Sequence, residues 1–341
     1  MMHEPFSRRS FITKTAAITG AVTYGRNMSF LNPQEEKLPR EVWIATVSQM
    51  GLSADSQEGM VSIICKIIEK AAAYKPDVIC LPEVFMTYNV RKRMGLQEAM
   101  ETSSSLLKHF TQFAKANNCY IICPVYTQEK GKIYNSAVVI DRNGNNIGEY
   151  RKVYLPEAEI ALGLTPGSLP PPVFKTDFGT IGIQICFDML WDNGWKSLKQ
   201  QGAEIVFWPS AYSGGQAVNA RAWQNRYIIV TGANKYASKI CDVAGNVVAQ
   251  TGLWDNNFIC APVNMEKAFL SAWPSVARFD EIKAKYGRKI RITNYQDEEW
   301  SIIESLSHDV KIKDVLEEFN LKTLDQHIID SEALQIKARN K

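Results

Sequence analysis

The chain has 341 residues, 45% of them hydrophobic and 22% charged, which is enough to bury a large core and near the upper size of one continuous domain. A formal charge of +3 with dispersed basic residues, densest at Arg91-Lys92-Arg93, gives no support to a nucleic-acid surface. The cysteines, at 65, 80, 119, 123, 186, 241 and 260, lie mostly in apolar runs and read as buried free thiols; Cys119 and Cys123 have no histidine near them, so neither a zinc site nor any other metal is expected.

At the amino terminus, Ser7-Arg8-Arg9-Ser10-Phe11-Ile12-Thr13-Lys14 precedes a weakly apolar stretch, residues 16–22, that is too short and too polar for a membrane span. This segment, residues 1–25, resembles a twin-arginine export signal, which implies passage out of the cytoplasm after folding; the alternative is a cytoplasmic tail. Residues 26–40, rich in Asn, Gln, Glu, Lys and Pro, read as a linker.

Residues 42–48, β-branched and aromatic, predict a first strand. Over 57–74, Met60, Ile63, Ile64, Ile67, Ile68 and Ala71 recur at helical spacing before Pro76. A strand at 77–81 runs into Leu81-Pro82-Glu83, a helix covers 97–118 and a strand 119–126. Strands at 133–140 and 147–152 flank Asn143-Gly144, a hairpin signal, and the second ends at Tyr150-Arg151-Lys152. Beyond Pro170-Pro171-Pro172, strands at 173–176 and 180–185 lead to Cys186-Phe187-Asp188. A helix at 192–201, a strand at 205–208, a helix at 216–226, a strand at 227–231 and a last hairpin to about 264 complete the pattern. Helices alternate with strands that also pair by hairpins, which predicts two sheets packed face to face with helices outside. No Gly-x-Gly-x-x-Gly joins a strand to a helix, and no internal repeat is visible. Residues 266–341 read as a carboxy-terminal extension with one strand at 300–306 and helices at 309–321 and 324–337, covering the core or meeting another subunit.

Glu83, Lys152 and Cys186 each stand where a strand delivers a side chain to the rim of a sheet. A carboxylate can take a thiol proton, an ammonium can stabilise an oxyanion and a thiolate can attack a carbonyl. Singly, each has an ordinary explanation as turn residue, solvated lysine or core thiol. In order and in context, with Trp208-Pro209-Ser210-Ala211 and Gly232-Ala233-Asn234-Lys235 following, they resemble the nitrilase superfamily of carbon–nitrogen hydrolases over residues 41–265.

That resemblance implies an α/β fold, a four-layer α-β-β-α sandwich, and a cofactor-free hydrolase. In it Glu83 is the base, Lys152 and the Phe187 N–H form the oxyanion hole, and Cys186 carries a thioester. It implies a second acid beside the lysine, for which Glu159 is the choice and Glu157 stays open. Asp188 reads first as a structural cap. Tyr88, Trp191, Trp208 and Ser210 are candidate pocket residues, Trp191 foremost. Phe187-Asp188 after the nucleophile resembles the amidase and carbamoylase branches rather than the nitrile-cleaving one, so the implied substrate is a small linear amide or N-carbamoyl compound. The partners implied are that small molecule and further copies of the chain, as a homodimer or larger homo-oligomer. Acyl transfer by the same cysteine, or a non-catalytic binding subunit on the same fold, are the alternatives.

Overall fold

A computed structural model describes residues 37–92, 95–252, 254 and 256–340; the predicted export signal, the linker up to residue 36, and Arg93 lie outside the described residues. The chain runs β1 (Glu41–Val47), α1 (Gln57–Ala72), β2 (Val78–Cys80), α2 (Leu96–Asn117), β3 (Tyr120–Glu129), β4 (Lys132–Ile140), β5 (Asn146–Arg151) and the short α3 (Glu157–Ala161). It continues β6 (Val173–Thr176), β7 (Gly179–Ile183), α4 (Asp192–Gln200), β8 (Ile205–Ser210), α5 (Gly215–Asn225), β9 (Ile228–Ala233), β10 (Lys239–Cys241), β11 (Val247–Gln250) and β12 (Phe258–Asn264).

Local chemistry accounts for the main elements. Ser56 caps α1 by accepting from the Gly59 N–H at 3.2 Å, Glu58 and Lys70 complement its ends, and the predicted stripe turns inward, with Ile63 at its half-buried margin. Helix α2 stops at Asn118, which takes the left-handed conformation at φ 51°. The hairpin expected at Asn143-Gly144 forms through a longer loop: Asp141 Oδ1 accepts from the N–H groups of Asn143 (2.9 Å) and Asn145 (2.7 Å), and Gly144 supplies φ 81°.

The strands form two six-stranded sheets, ordered β12-β1-β2-β3-β4-β5 and β11-β10-β9-β8-β7-β6. Each has three parallel strands at its centre, one antiparallel strand on one flank and an antiparallel hairpin on the other. The two hairpin turns also match, since Asp242 Oδ1 accepts from the Ala244 and Asn246 N–H groups as Asp141 does in the first sheet. The architecture therefore repeats where the sequence shows no repeat. The predicted last hairpin is corrected here: it closes at Gln250, and β12 returns to the first sheet, antiparallel to β1. A strand's local propensity does not say which sheet edge it will join.

Ile44, Ile122, Val139, Ile183, Phe207 and Val230 meet between the sheets. Helices α1 and α2 cover the first sheet, and α4 and α5 the second, each over its own apolar cluster. This is the α-β-β-α layering. At one corner the sheets are stitched by polar bonds: the Thr46 hydroxyl donates to the Thr231 carbonyl (2.5 Å), and the Ser238 hydroxyl to that of Val47 (2.7 Å).

The extension holds more structure than expected. It contains β13 (Lys267–Ser271), α6 (Ala272–Ser275), α7 (Phe279–Tyr286), β14 (Ile290–Tyr295), β15 (Trp300–Ser305), α8 (Ile312–Glu318) and α9 (Leu324–Arg339). The strands make a three-stranded sheet, β13-β15-β14, over Leu270, Phe279, Ile282, Ile303 and Val315. Strands β13 and β14 escaped the sequence reading because the apolar run of β13 is only Ala268-Phe269-Leu270, and β14 starts within the basic cluster Arg288, Lys289 and Arg291, which reads as a solvated face. Asp325 at the start of α9 pairs with Lys199 of α4 (2.8 Å) and Arg226 after α5 (2.5 Å).

Candidate active site

Parallel strand β2 ends at Cys80, and Pro82, which has no N–H to extend the ladder, turns the chain toward Glu83. Val84 follows at φ 30°, a costly conformation for a β-branched residue, and leads into a 3₁₀ turn, Phe85–Thr87. Two amides hold this bend: Asn234 Nδ2 donates to the Glu83 carbonyl (2.9 Å) and Gln49 Nε2 to that of Phe85 (2.9 Å), and Asn234 also bonds Gln49. The Glu83 carboxylate is buried. Its Oε1 accepts from Lys152 Nζ at 2.9 Å and from Asn135 Nδ2 at 2.9 Å, while Oε2 makes no hydrogen bond among the described residues.

Lys152 directly follows β5. Its N–H donates to the Asn135 carbonyl (2.8 Å) and its carbonyl accepts from the Gly167 N–H (2.8 Å), so the backbone is fixed on both sides of the side chain. The buried ammonium is shared between Glu83 and Glu159, whose Oε1 lies 2.7 Å away. Burial opposes the charge on Lys152, but Glu83, Cys186 and Glu159 outweigh it and raise its pKa, keeping it an ammonium. Burial also pushes the Glu159 carboxyl up, against the pull of Lys152. Glu157, left open beside Glu159, is exposed one half-turn away on α3.

Cys186 lies beyond parallel strand β7, at the head of a 3₁₀ turn, Cys186–Leu190, with φ 45°. A left-handed cysteine between strand and turn is a strained placement that presents its side chain at the sheet's edge. Trp208 Nε1 donates to its carbonyl at 3.2 Å. Burial pushes the thiol up to about 12, the Glu83 carboxylate adds to this, and Lys152, the Ala211 N–H and the Ser210 hydroxyl oppose it. At neutral pH it is therefore a thiol and not a preformed thiolate. The Phe187 N–H sits in the first turn, where a helix start leaves N–H groups without an intrahelical acceptor.

Around these groups, Trp191 stacks on Tyr154 with centroids 4.1 Å apart and meets the edge of Phe187 at 5.1 Å. Half-buried Tyr88 has its hydroxyl pKa raised by burial and by the nearby Glu83 and Cys186. Ser210 is buried at the end of β8, where its hydroxyl accepts from the Tyr212 N–H at 3.1 Å and opposes the rise of the thiol's pKa. Trp208, read as a pocket candidate, is corrected: its indole is wholly buried and braces the Cys186 backbone, because the bulk of the ring fills the core under α4 and α5. Asp188 is the structural cap expected, accepting from the Ile185 N–H at 2.7 Å. The sequence reading missed Asn135, Gln49 and the role of Asn234. The available signal was an amide inside an apolar strand, Tyr134-Asn135-Ser136, since a buried amide must find partners. Among the described residues no three His, Cys, Asp or Glu side chains come together as a metal site.

The sequence matches the carbon–nitrogen hydrolase family over residues 44–269. It is 30% identical over 170 residues to the beta-ureidopropionase of Arabidopsis thaliana, covering 47% of this chain and 42% of that protein. It is 32% identical over 105 residues to the N-carbamoylputrescine amidase of Oryza sativa subsp. japonica, covering 30% of this chain and 35% of that protein. The chain thus spans less than half the length of these two curated relatives. An amidase from Nesterenkonia sp. shares the fold with a TM-score of 0.59 at 18% identity, over 66% of this chain and 90% of that one.

Proposed function

The chain belongs to the carbon–nitrogen hydrolase family, and from that premise we propose that it hydrolyses a small linear amide or N-carbamoyl compound through a thioester on Cys186. The observation that carries this is the buried Lys152 ammonium, bonded at once to Glu83 and Glu159 and raising its charge against the Cys186 thiol. The names of the two relatives, a ureidopropionase and a carbamoylputrescine amidase, support the substrate class.

Because the resting thiol is protonated, its proton passes to Glu83 as Sγ attacks the substrate carbonyl, and general-base help of this kind contributes about 10²–10⁴ in rate. The oxyanion is met by Lys152 Nζ and the Phe187 N–H. Collapse breaks the C–N bond, and the leaving nitrogen takes the proton from Glu83 and departs as ammonia or an amine. Water then gives a proton to Glu83 and attacks the thioester; the acid leaves and Cys186 regains its proton. Glu159, on the far side of the ammonium, holds Lys152 in place and helps to orient substrate.

A panel of linear amides, N-carbamoyl compounds and nitriles, followed by ammonia release and intact mass, tests the reading. Turnover of amides or carbamoyl compounds is expected, with a transient acyl adduct absent in Cys186→Ala. Equal behaviour of wild type and Cys186→Ala on every substrate would falsify it. We also propose export, on residues 7–14; Arg8→Lys with Arg9→Lys should retain the protein in the cytoplasm, and unchanged fractionation sinks that idea.

A further inference from the structure

A further carboxylate, deeper than Glu159, touches both halves of the site. Asp188 is wholly buried. Its Oδ2 accepts from the Tyr150 hydroxyl (2.7 Å) and the Ile185 N–H (2.7 Å), and its Oδ1 from the Tyr154 N–H (2.8 Å). Tyr150 and Tyr154 stand two residues before and two after Lys152, and Ile185 immediately precedes Cys186. The Asp188 backbone is tied as well, its N–H donating to the Ile185 carbonyl (3.0 Å) and its carbonyl accepting from Trp195 Nε1 (3.1 Å). One side chain thus joins the segment that carries the ammonium, after a strand of the first sheet, to the turn that carries the thiol, after a strand of the second.

We propose that ionised Asp188 is a positioning residue that keeps Lys152 in register with Cys186, and that its protonation releases this register. The proposal rests on the hydrolase reading for its effect on turnover. A carboxylate is all acceptor, and three donors converge on this one. A proton on either oxygen turns an acceptor into a donor. Tyr150 cannot absorb the change, because its hydroxyl oxygen already accepts from Gln184 Nε2 (3.2 Å) and the Val153 N–H (3.4 Å). A backbone N–H cannot reverse its polarity at all. Oδ2 already accepts two bonds, so a proton there displaces one of them, and a proton on Oδ1 neutralises the charge that all three donors meet; either way the clamp is weakened.

Among the groups facing Asp188, Lys152 carries a charge, while Tyr150, Tyr154, Trp195 and Gln184 are neutral. Burial pushes its carboxyl up to about 6, against the bonds from Tyr150, Ile185 and Tyr154. For a carboxyl raised on folding, the protonated form is the one that folding favours: its contribution to stability is present below the unfolded pKa and is lost as pH rises through about 6. Acidification from pH 7 should accordingly remove activity while this residue's contribution to stability grows.

The test is Tyr150→Phe, which removes one donor to Asp188 and leaves both recorded partners of Glu83, Lys152 and Asn135, in place. The pH profile of kcat/KM is measured together with the rate at which a haloacetamide alkylates Cys186, read by intact mass and independent of turnover; melting reports folding. Losing a bond that favours the charged form should move the acid limb to higher pH by roughly half a unit or more in both readouts. Asp188→Asn should remove that step and lower kcat by about 10–100-fold at neutral pH, with KM less affected. If folded Tyr150→Phe keeps the wild-type limb in both readouts, the proposal is overturned. Should Tyr150→Phe not fold, persistence of the wild-type limb in Asp188→Asn overturns it equally. If the alkylation limb moves while wild type turns over nothing, the positioning role stands and the hydrolase reading falls.

Discussion

The first sheet ends in charge and the second in a strained thiol. Glu83 and Lys152 follow β2 and β5 and are held by side-chain bonds from Asn135 and Glu159, whereas Cys186 follows β7 at φ 45° and is held by its backbone, through Trp208. The two sheets share one strand plan yet carry opposite burdens. A buried ion pair is tolerated only while both partners remain, but a neutral thiol is buried at little cost. Loss of the first sheet's cation should thus reach stability and activity together, and loss of the second's thiol should reach activity alone.

The largest expected effect is on Cys186→Ala, which loses at least about 10³ in kcat/KM while chemical denaturation finds stability within about 1 kcal/mol of wild type. A large stability loss there would break the comparison. Lys152→Met leaves Glu83 buried without its cation; activity should fall by about 10²–10³, and stability at neutral pH by about 3–5 kcal/mol. Chemical denaturation at neutral pH checks the stability deficit, and a variant as stable as wild type would break the comparison.

The seam between the sheets gives a smaller effect. A Cβ on Gly232 of β9 would lie 2.6 Å from the Leu81 carbonyl, two residues before Glu83. Gly232→Ala should cost about 1–3 kcal/mol by overpacking and should depress kcat by moving Glu83 relative to Cys186; unchanged kinetics would show that the seam does not set the geometry. The smallest effect on turnover is that of Trp208→Phe, which removes one hydrogen bond to the Cys186 carbonyl and should lower kcat a few-fold with KM unchanged; the smaller ring also leaves a cavity under α4 and α5, so stability should fall by about 1–3 kcal/mol.

Much of this was legible along the chain. Apolar spacing marks α1, strand composition marks β1 to β9, and the contexts of Glu83, Lys152 and Cys186 single out three residues that the fold brings into one site. The partner of Asn135 was not legible, because Glu83 is 52 positions away, nor was the Gln49–Asn234 brace, which spans 185. Trp208 looked like a pocket wall because it stands in Trp208-Pro209-Ser210-Ala211, and an aromatic in such a segment carries no sign of the direction it faces.

The division follows from the range of the forces involved. Strand and helix propensity, caps and turn chemistry act over a few residues, so the sequence by itself determined the elements and the strand ends on which the reactive side chains sit. Which edge β12 joins, which glutamate meets Lys152 and whether Asp188 bridges two sheets depend on groups distant in the chain and adjacent only after packing. Tertiary structure decided these, because a buried charge or amide is stable only where partners from elsewhere in the chain converge on it.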